Sequence, residues 1–268
     1  MVLEANISVI IPNYNRTEQL KAAIASVLSQ SLLPLEVLVC DDGSSENIEA
    51  VVTSFKNEKV RFVPCGQNNR PAVPRNKGIE LAKGEWLAFL DNDDTWHADK
   101  LQQQWAEIAS ADLICSNATV FRDHQSMGQM HQESGTRMLN FYQMVNTNQV
   151  ICSSVLVKKE VVMRAGKFPE APALRALEDY ALWLRISAIA KIKFLDLPLV
   201  NYTDASTTSI RKDSLTTAQQ MALIHESFVS WYAGFQGADT HLLDLAHEVL
   251  LRRYLSGFKK NLHRLRYS

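Results

Sequence analysis

The chain has 268 residues, 46% hydrophobic and 21% charged, which suits one large domain with a sizeable core and excludes wholesale disorder. Its apolar runs fall short of the roughly 18 residues a spanning helix needs. The formal net charge of −1 hides an asymmetry: residues 249–268 carry six basic side chains and no acidic one, leaving 22 basic against 29 acidic residues elsewhere, an acidic body that argues against a nucleic-acid partner.

Along the first hundred residues, short apolar runs alternate with helical periods. Ile7-Ser8-Val9-Ile10-Ile11 reads as a buried strand from its β-branched content. After Pro12-Asn13-Tyr14-Asn15 a helix is marked by Leu20, Ile24, Val27 and Leu28. Glu36–Cys40 is a second strand, ending in Asp41-Asp42-Gly43-Ser44, and Ile48, Val51, Val52 and Phe55 share one helical face. Val60–Val63 is a third strand, and a helix over 74–83 is expected to stop at Gly84. Trp86–Leu90 is a fourth strand, ending in Asp91-Asn92-Asp93-Asp94, with a helix through Leu101, Trp105 and Ile108 behind it.

Such alternation with near-continuous apolar strands predicts an α/β fold, its parallel sheet covered on both faces. Ligands of such sheets bind beyond the carboxyl ends of the strands. The segments Asn13–Arg16, Asp41-Asp42 and Asp91–Asp93 should therefore converge on one edge. From about residue 111 the pattern loosens. Leu113–Cys115 and Val155–Val157 read as strands, and 122–137, with His124 and His131, as a mobile polar loop. A helix is expected over 178–190, a short strand over Ile192–Leu195, and two long helices over 213–235 and 239–266.

Asp91 and Asp93, two residues apart past a buried strand, suit one hard divalent cation shared with a diphosphate; the plainer alternative is a solvated acidic turn. One of Asp41 and Asp42 could accept from a nucleobase N–H or a ribose hydroxyl, or the two could simply form and cap a turn. Tyr14 could stack on a base or pack in the core. Glu178 and Asp179 open a helix, where carboxylates suit the dipole; one of them could also serve as a general base.

Several of these segments together resemble the family 2 glycosyltransferases: Ser8–Arg16, Ser26–Gln30, Val39–Ser45, Arg75–Ile79, Ala82–Trp86, Leu90–Asp94 and Glu178–Arg185, in order from residue 7 to about 200. The resemblance implies a GT-A fold: a nucleotide-sugar half over 1–110, an acceptor half over 111–210, and a C-terminal helical extension over 211–268. It implies an inverting transfer from a nucleotide-sugar, with a UDP-sugar favoured, to a hydroxyl of a glycan or lipid-linked acceptor. It places Pro12, Tyr14, Arg16, Asp42, Arg75, Asp91 and Asn92 around the nucleotide-sugar, Asp93 on Mn²⁺ or Mg²⁺, and Asp179 as the base with Glu178 beside it. Ile151–Ser154 and Phe168–Glu170 resemble the family's acceptor-side segments. One departure stands out. The family's Tyr-Arg-x-His stretch aligns with Tyr202-Thr203-Asp204-Ala205, which lacks the histidine that can assist the metal, and Asp204 is the candidate substitute.

Two other readings compete. Asp91-Asn92-Asp93-Asp94-Thr95 also matches the DxDxT signature of haloacid-dehalogenase-like phosphatases, with Asp91 as nucleophile and Asp93 as acid/base. A non-catalytic nucleotide-binding protein of the same fold is the third. The four dispersed cysteines form no CxxC pair, and the first residues lack a secretory pattern, so a cytoplasmic location is expected. In the tail, an apolar stripe through Leu251, Leu255, Phe258, Leu262 and Leu265 is flanked by the basic residues. It suits either a docked helix or peripheral contact with anionic lipid.

Overall fold

Consecutive residues of the apolar strands pack into two cores on opposite faces of one sheet in the computed structural model, which describes residues 3–67, 71–132, 135–204, 215–249 and 251–252. Ile10, Leu38, Leu87 and Phe89 enter one core; Val9, Ile11, Val37, Val39 and Ala88 enter the other. Burial on both sides is why these strands show no polar alternation.

The first half runs β1 (Leu3–Asn13), α1 (Thr17–Leu28), β2 (Leu32–Asp41), α2 (Ile48–Ser54), β3 (Val60–Pro64), α3 (Ala72–Leu81) and β4 (Trp86–Phe89). The four strands lie parallel in the order β3-β2-β1-β4. Helices α1 and α2 cover one face through Leu20, Ile24, Val27, Ile48 and Val52, and α3 covers the other through Ala72 and Ile79. The second half contributes β5 (Thr95–Trp96), α4 (Lys100–Trp105), β6 (Leu113–Arg122), β7 (Gln125–Gln129), β8 (Arg137–Leu139), α5 (Phe141–Asn146), β9 (Leu156–Lys158), α6 (Lys159–Arg164), α7 (Glu178–Ile189), β10 (Ile192–Thr203) and α8 (Thr217–Tyr232). Strand β9 joins β4 to β6, antiparallel to both, and β10 runs parallel to β6.

The structure departs from the sequence expectations in four places. Residues 122–137 are not a plain loop: β7 folds back on β6 through a turn with left-handed Asp123 and His124, at φ 48° and 63°. All five β7 residues are exposed, so no apolar alternation marks the strand. Strand β10 runs eight residues past Leu195, carried across Pro198 by register shifts that break the sequence pattern. Gly84 does not cap α3, which ends at Leu81. It lies against β1, where a Cβ would meet the Ser8 nitrogen at 2.6 Å, and its own N–H donates to Ser8 Oγ at 2.8 Å. Lastly, the expected helix over 213–235 is α8, Thr217–Tyr232: residues 215–216 and 233–235 are not helical, and 213–214 lie outside the described residues.

A further helix spans 240–249. The basic tail from Arg253 onward, and with it most of the predicted apolar stripe, lies outside the described residues. Among those described, no helix is long and apolar enough to cross a membrane. Cys40, Cys115 and Cys152 are buried free thiols.

Lys100 is fully buried; its ammonium donates to Gln104 Oε1 at 2.6 Å and lies 4.0 Å from the centre of the Trp96 ring. Burial pushes its pKa well below the ordinary lysine range. The folded chain therefore releases this proton at a pH where the unfolded chain still holds it. Stability should rise with pH from that depressed value up to about 10.4, by at most about 1.4 kcal/mol per pH unit. Urea titrations at successive pH values should show this rise between pH 7 and 10 in the wild type and lose it in Lys100→Met. Parallel profiles for the two would contradict a depressed Lys100 pKa.

Candidate active site

The three polar segments meet at the carboxyl ends of β1, β2 and β4, and hydrogen bonds between side chains join them. Asn13, closing β1, donates through Nδ2 to Asp41 Oδ1 at the end of β2, at 2.9 Å. Its own Oδ1 accepts from Asn92 Nδ2 at 2.7 Å. Asp41 also binds Ser44 through backbone and hydroxyl, at 2.9 and 2.5 Å. Asp41 is thus the brace of this edge, while the buried Asp42 next to it is fixed through its N–H to the Asn13 carbonyl, at 2.8 Å. Pro12 is half-buried at the end of β1, and the Tyr14 side chain stands exposed beyond it.

The turn out of β1 is strained. Asn15 and Arg16 both adopt left-handed conformations, φ 54° and 63°, at about 1–2 kcal/mol per residue. Local bonds hold the turn: the Asn15 N–H donates to Ser44 Oγ at 2.6 Å, and Asn15 Oδ1 accepts from the Ser45 N–H at 3.0 Å. The product of this geometry is the placement of Arg16, whose guanidinium pairs with Asp93.

Asp94, rather than either flanking carboxylate, anchors the acidic loop. It is 1% exposed and accepts from the Ser153 hydroxyl at 2.6 Å and the Thr203 N–H at 2.8 Å. Ser153 Oγ in turn accepts from the Asp91 N–H at 3.0 Å, and the Thr203 hydroxyl donates to the Asp93 carbonyl at 2.6 Å. Burial pushes the Asp94 carboxyl well above the usual range, and the charges of Asp93 and Asp91 push the same way. The Asp93 pKa is raised too, by burial and then by Asp91, against the opposing pull of Arg16.

Arg75 enters from α3. Its side chain is 7% exposed and bridges Asp91 Oδ1 at 2.5 Å and Glu178 Oε1 at 3.0 Å, with the guanidinium carbon 5.4 Å from the centre of the Phe168 ring. Burial disfavours its charge, yet Asp91 and Glu178 outweigh that and raise its pKa well above the usual value. Its neighbour Asn76 donates to the Phe168 carbonyl at 2.8 Å and to Glu170 at 2.7 Å. Two buried polar residues on one helix thus fasten the two halves together.

A cavity of about 340 Å³ opens beside this bridge, lined among others by Asp91, His131, Cys152, Asp179, Tyr180 and Tyr202. Asp179 and Glu178 are adjacent at the head of α7, but only Asp179 lines the cavity; Glu178 faces Arg75. Asp179 Oδ1 accepts from the Tyr180 N–H at 2.7 Å. Asp204 is engaged elsewhere: its carboxylate accepts from the Arg122 guanidinium. Among the described residues no cluster of three or more His, Cys, Asp or Glu side chains is arranged to hold a metal. Asp91 and Asp93 nevertheless supply hard carboxylate oxygens of the kind Mn²⁺ or Mg²⁺ takes when a diphosphate completes its coordination.

Three contributors escaped the sequence reading as individual site residues. Asn13 and Ser153 sat inside segments that were noticed, but their hydrogen-bond roles depend on partners 28 to 79 residues away. His131, whose ring packs edge-on to Phe194 at 5.5 Å and whose Nε2 is buried without a partner, lay in a stretch with no periodicity.

Removing Arg75 would leave Glu178 buried and uncompensated, which typically costs about 3–5 kcal/mol. Arg75→Gln should lose that much in equilibrium denaturation, and adding Glu178→Gln should recover part of it. Additive losses in the double-mutant cycle would show that the pair does not interact.

The profile described as glycosyl transferase family 2 matches residues 8–164. UDP-Glc:alpha-D-GlcNAc-diphosphoundecaprenol beta-1,3-glucosyltransferase WfgD of Escherichia coli is 28% identical over 182 residues, covering 67% of this chain and 69% of that protein. An uncharacterized glycosyltransferase of Rickettsia conorii is 31% identical over 197 residues, which is 73% of this chain but only 32% of the longer relative. Among solved structures, TarS 1–349 of S. aureus in complex with UDP-GlcNAc superposes with a TM-score of 0.73 at 18% identity, over 93% of this chain and 72% of that one.

Proposed function

The chain belongs to glycosyl transferase family 2, and on that premise we propose that it transfers a sugar from a UDP-sugar to a hydroxyl of a lipid-linked glycan, with inversion at the anomeric carbon. It is a glycosyltransferase with the GT-A fold, so the phosphatase reading of Asp91 and Asp93 is overturned, and the non-catalytic reading with it. The name of the Escherichia coli relative specifies UDP-glucose and a diphosphoundecaprenol-linked acceptor, and the S. aureus structure is a complex with UDP-GlcNAc. Those names favour a UDP-sugar and a lipid-linked glycan acceptor here.

The observation that carries the reading is that Asp91 and Asp179 line one cavity, with Asp93, the partner of Arg16, two residues further along the acidic loop. Tyr14 and Asp42 are assigned to the nucleobase, with Pro12 and Asn92 shaping the pocket. Arg16 is assigned to the diphosphate and Asp91 to the donor sugar. Arg75 holds Asp91 in place and neutralises part of its charge. Asp179 accepts the proton of the attacking hydroxyl. Glu178, engaged by Arg75, fixes the head of α7 so that Asp179 stays aimed. Holding donor and acceptor in line turns a bimolecular encounter into a positioned one. Asp93 is assigned to the divalent cation, Mn²⁺ or Mg²⁺, which when bound neutralises charge growing on the leaving diphosphate. A lipid-linked acceptor requires approach to a membrane, and the basic residues from Arg252 onward are assigned to that peripheral contact.

Asp179→Asn keeps shape and removes the proton acceptor. Turnover with a UDP-sugar and a short-chain lipid-diphosphate GlcNAc acceptor should fall by about 10²–10⁴ while UDP still raises Tm as it does in the wild type. Wild-type turnover in this variant would assign the base elsewhere. Asp93→Ala should abolish the part of the UDP-induced Tm shift that depends on Mn²⁺. An undiminished Mn²⁺ increment would remove Asp93 from the metal.

A further inference from the structure

Both acidic residues assigned to the donor and its metal already face a guanidinium. Arg75 pairs with Asp91, and Arg16 pairs with Asp93. Each of these two carboxylates therefore has a guanidinium beside it, and a cation that reaches for Asp93 competes with Arg16.

The two arginines differ in their freedom. Arg75 is 7% exposed and is gripped a second time by Glu178. Arg16 is 30% exposed, sits on a strained turn, and among the described residues its one ion pair is with Asp93. Arg16 can swing aside, whereas Arg75 is held in the core. A divalent cation arriving alone must push the Arg16 guanidinium into water to reach Asp93. A nucleoside diphosphate arriving with the cation gives that guanidinium a new anionic partner, which Arg16 can bind in bidentate fashion.

We propose that Arg16 is a counter-ion that withholds Asp93 from the divalent cation until a nucleoside diphosphate takes over the guanidinium. The proposal rests on the assignment of Asp93 to the metal. Its consequence is a binding order: metal and nucleotide enter together, and each tightens the other by the same factor, as linkage requires. The device keeps the donor-free enzyme from filling its acidic loop with a cation that leads to no reaction.

Titration of the full chain with Mn²⁺, followed by electron paramagnetic resonance with and without UDP, tests this. In the wild type, UDP should tighten Mn²⁺ by about tenfold or more. Arg16→Gln should bind Mn²⁺ alone about fivefold more tightly than wild type, yet bind it less tightly than wild type once UDP is present. Arg16→Lys, which keeps the charge but not the bidentate fork, should bind Mn²⁺ alone as the wild type does and keep only part of the tightening by UDP. A purely structural role for Arg16 would weaken both affinities. Arg16→Gln that binds Mn²⁺ alone no better than wild type overturns the proposal, as does a wild type whose Mn²⁺ affinity ignores UDP. Asp93→Asn separates the premise from the proposal: if it binds Mn²⁺ with UDP as the wild type does, the metal assignment itself is wrong.

Discussion

Arg75 carries its charge into the core between two carboxylates, Asp91 from the loop after β4 and Glu178 from the first turn of α7. Burying a guanidinium is costly unless it is paired, and the buried Glu178 would in turn be left uncompensated without Arg75. The bridge therefore fixes the distance between the two halves of the fold. It also fixes the rotation of α7. Adjacent residues on a helix point about 100° apart, so once Glu178 faces Arg75, Asp179 is turned to the cavity wall it lines. The placement of the proposed base follows from the burial of its neighbour.

A second constraint acts on the acidic loop. Asp94 is the residue that goes inward, and its bonds to Ser153 and Thr203 tie the loop to the turn before β9 and to the end of β10. Asp91 and Asp93 are left at the surface of a rigid frame. Groups that must meet developing charge work best when the protein has positioned them beforehand. The frame explains why two segments far apart in the chain, Cys152–Ser154 and Tyr202–Asp204, belong to one site. The Ser153 hydroxyl and the Thr203 N–H and hydroxyl hold the loop, while Cys152 and Tyr202 line the cavity.

The N-terminal half was legible in the sequence because its signals are local. Val9, Ile11, Val37 and Val39 mark strands buried on both faces, and the polar residues after each strand mark the binding edge. The second half was less legible because its strands are set by partners. Strand β7 has no buried residue to reveal it, and β10 runs on through Pro198 by pairing with β6 and β5. Gly84 read as a helix stop because glycine commonly ends helices, whereas here it makes room for the β1 backbone. At the site, the carboxylates were visible as a pattern. Which of them turns inward was not, because Asp91, Asp93 and Asp94 differ only in the partners that the fold brings to them.

A crystal structure of the chain with Mn²⁺ and an intact, non-transferable UDP-sugar analogue tests the central claim most directly. The diphosphate should lie at Arg16 and the sugar ring beside Asp91 in the cavity, with the Asp179 carboxylate on the face of the anomeric carbon opposite the diphosphate. A sugar lying outside that cavity, or with Asp179 on the same face as the leaving group, would contradict it.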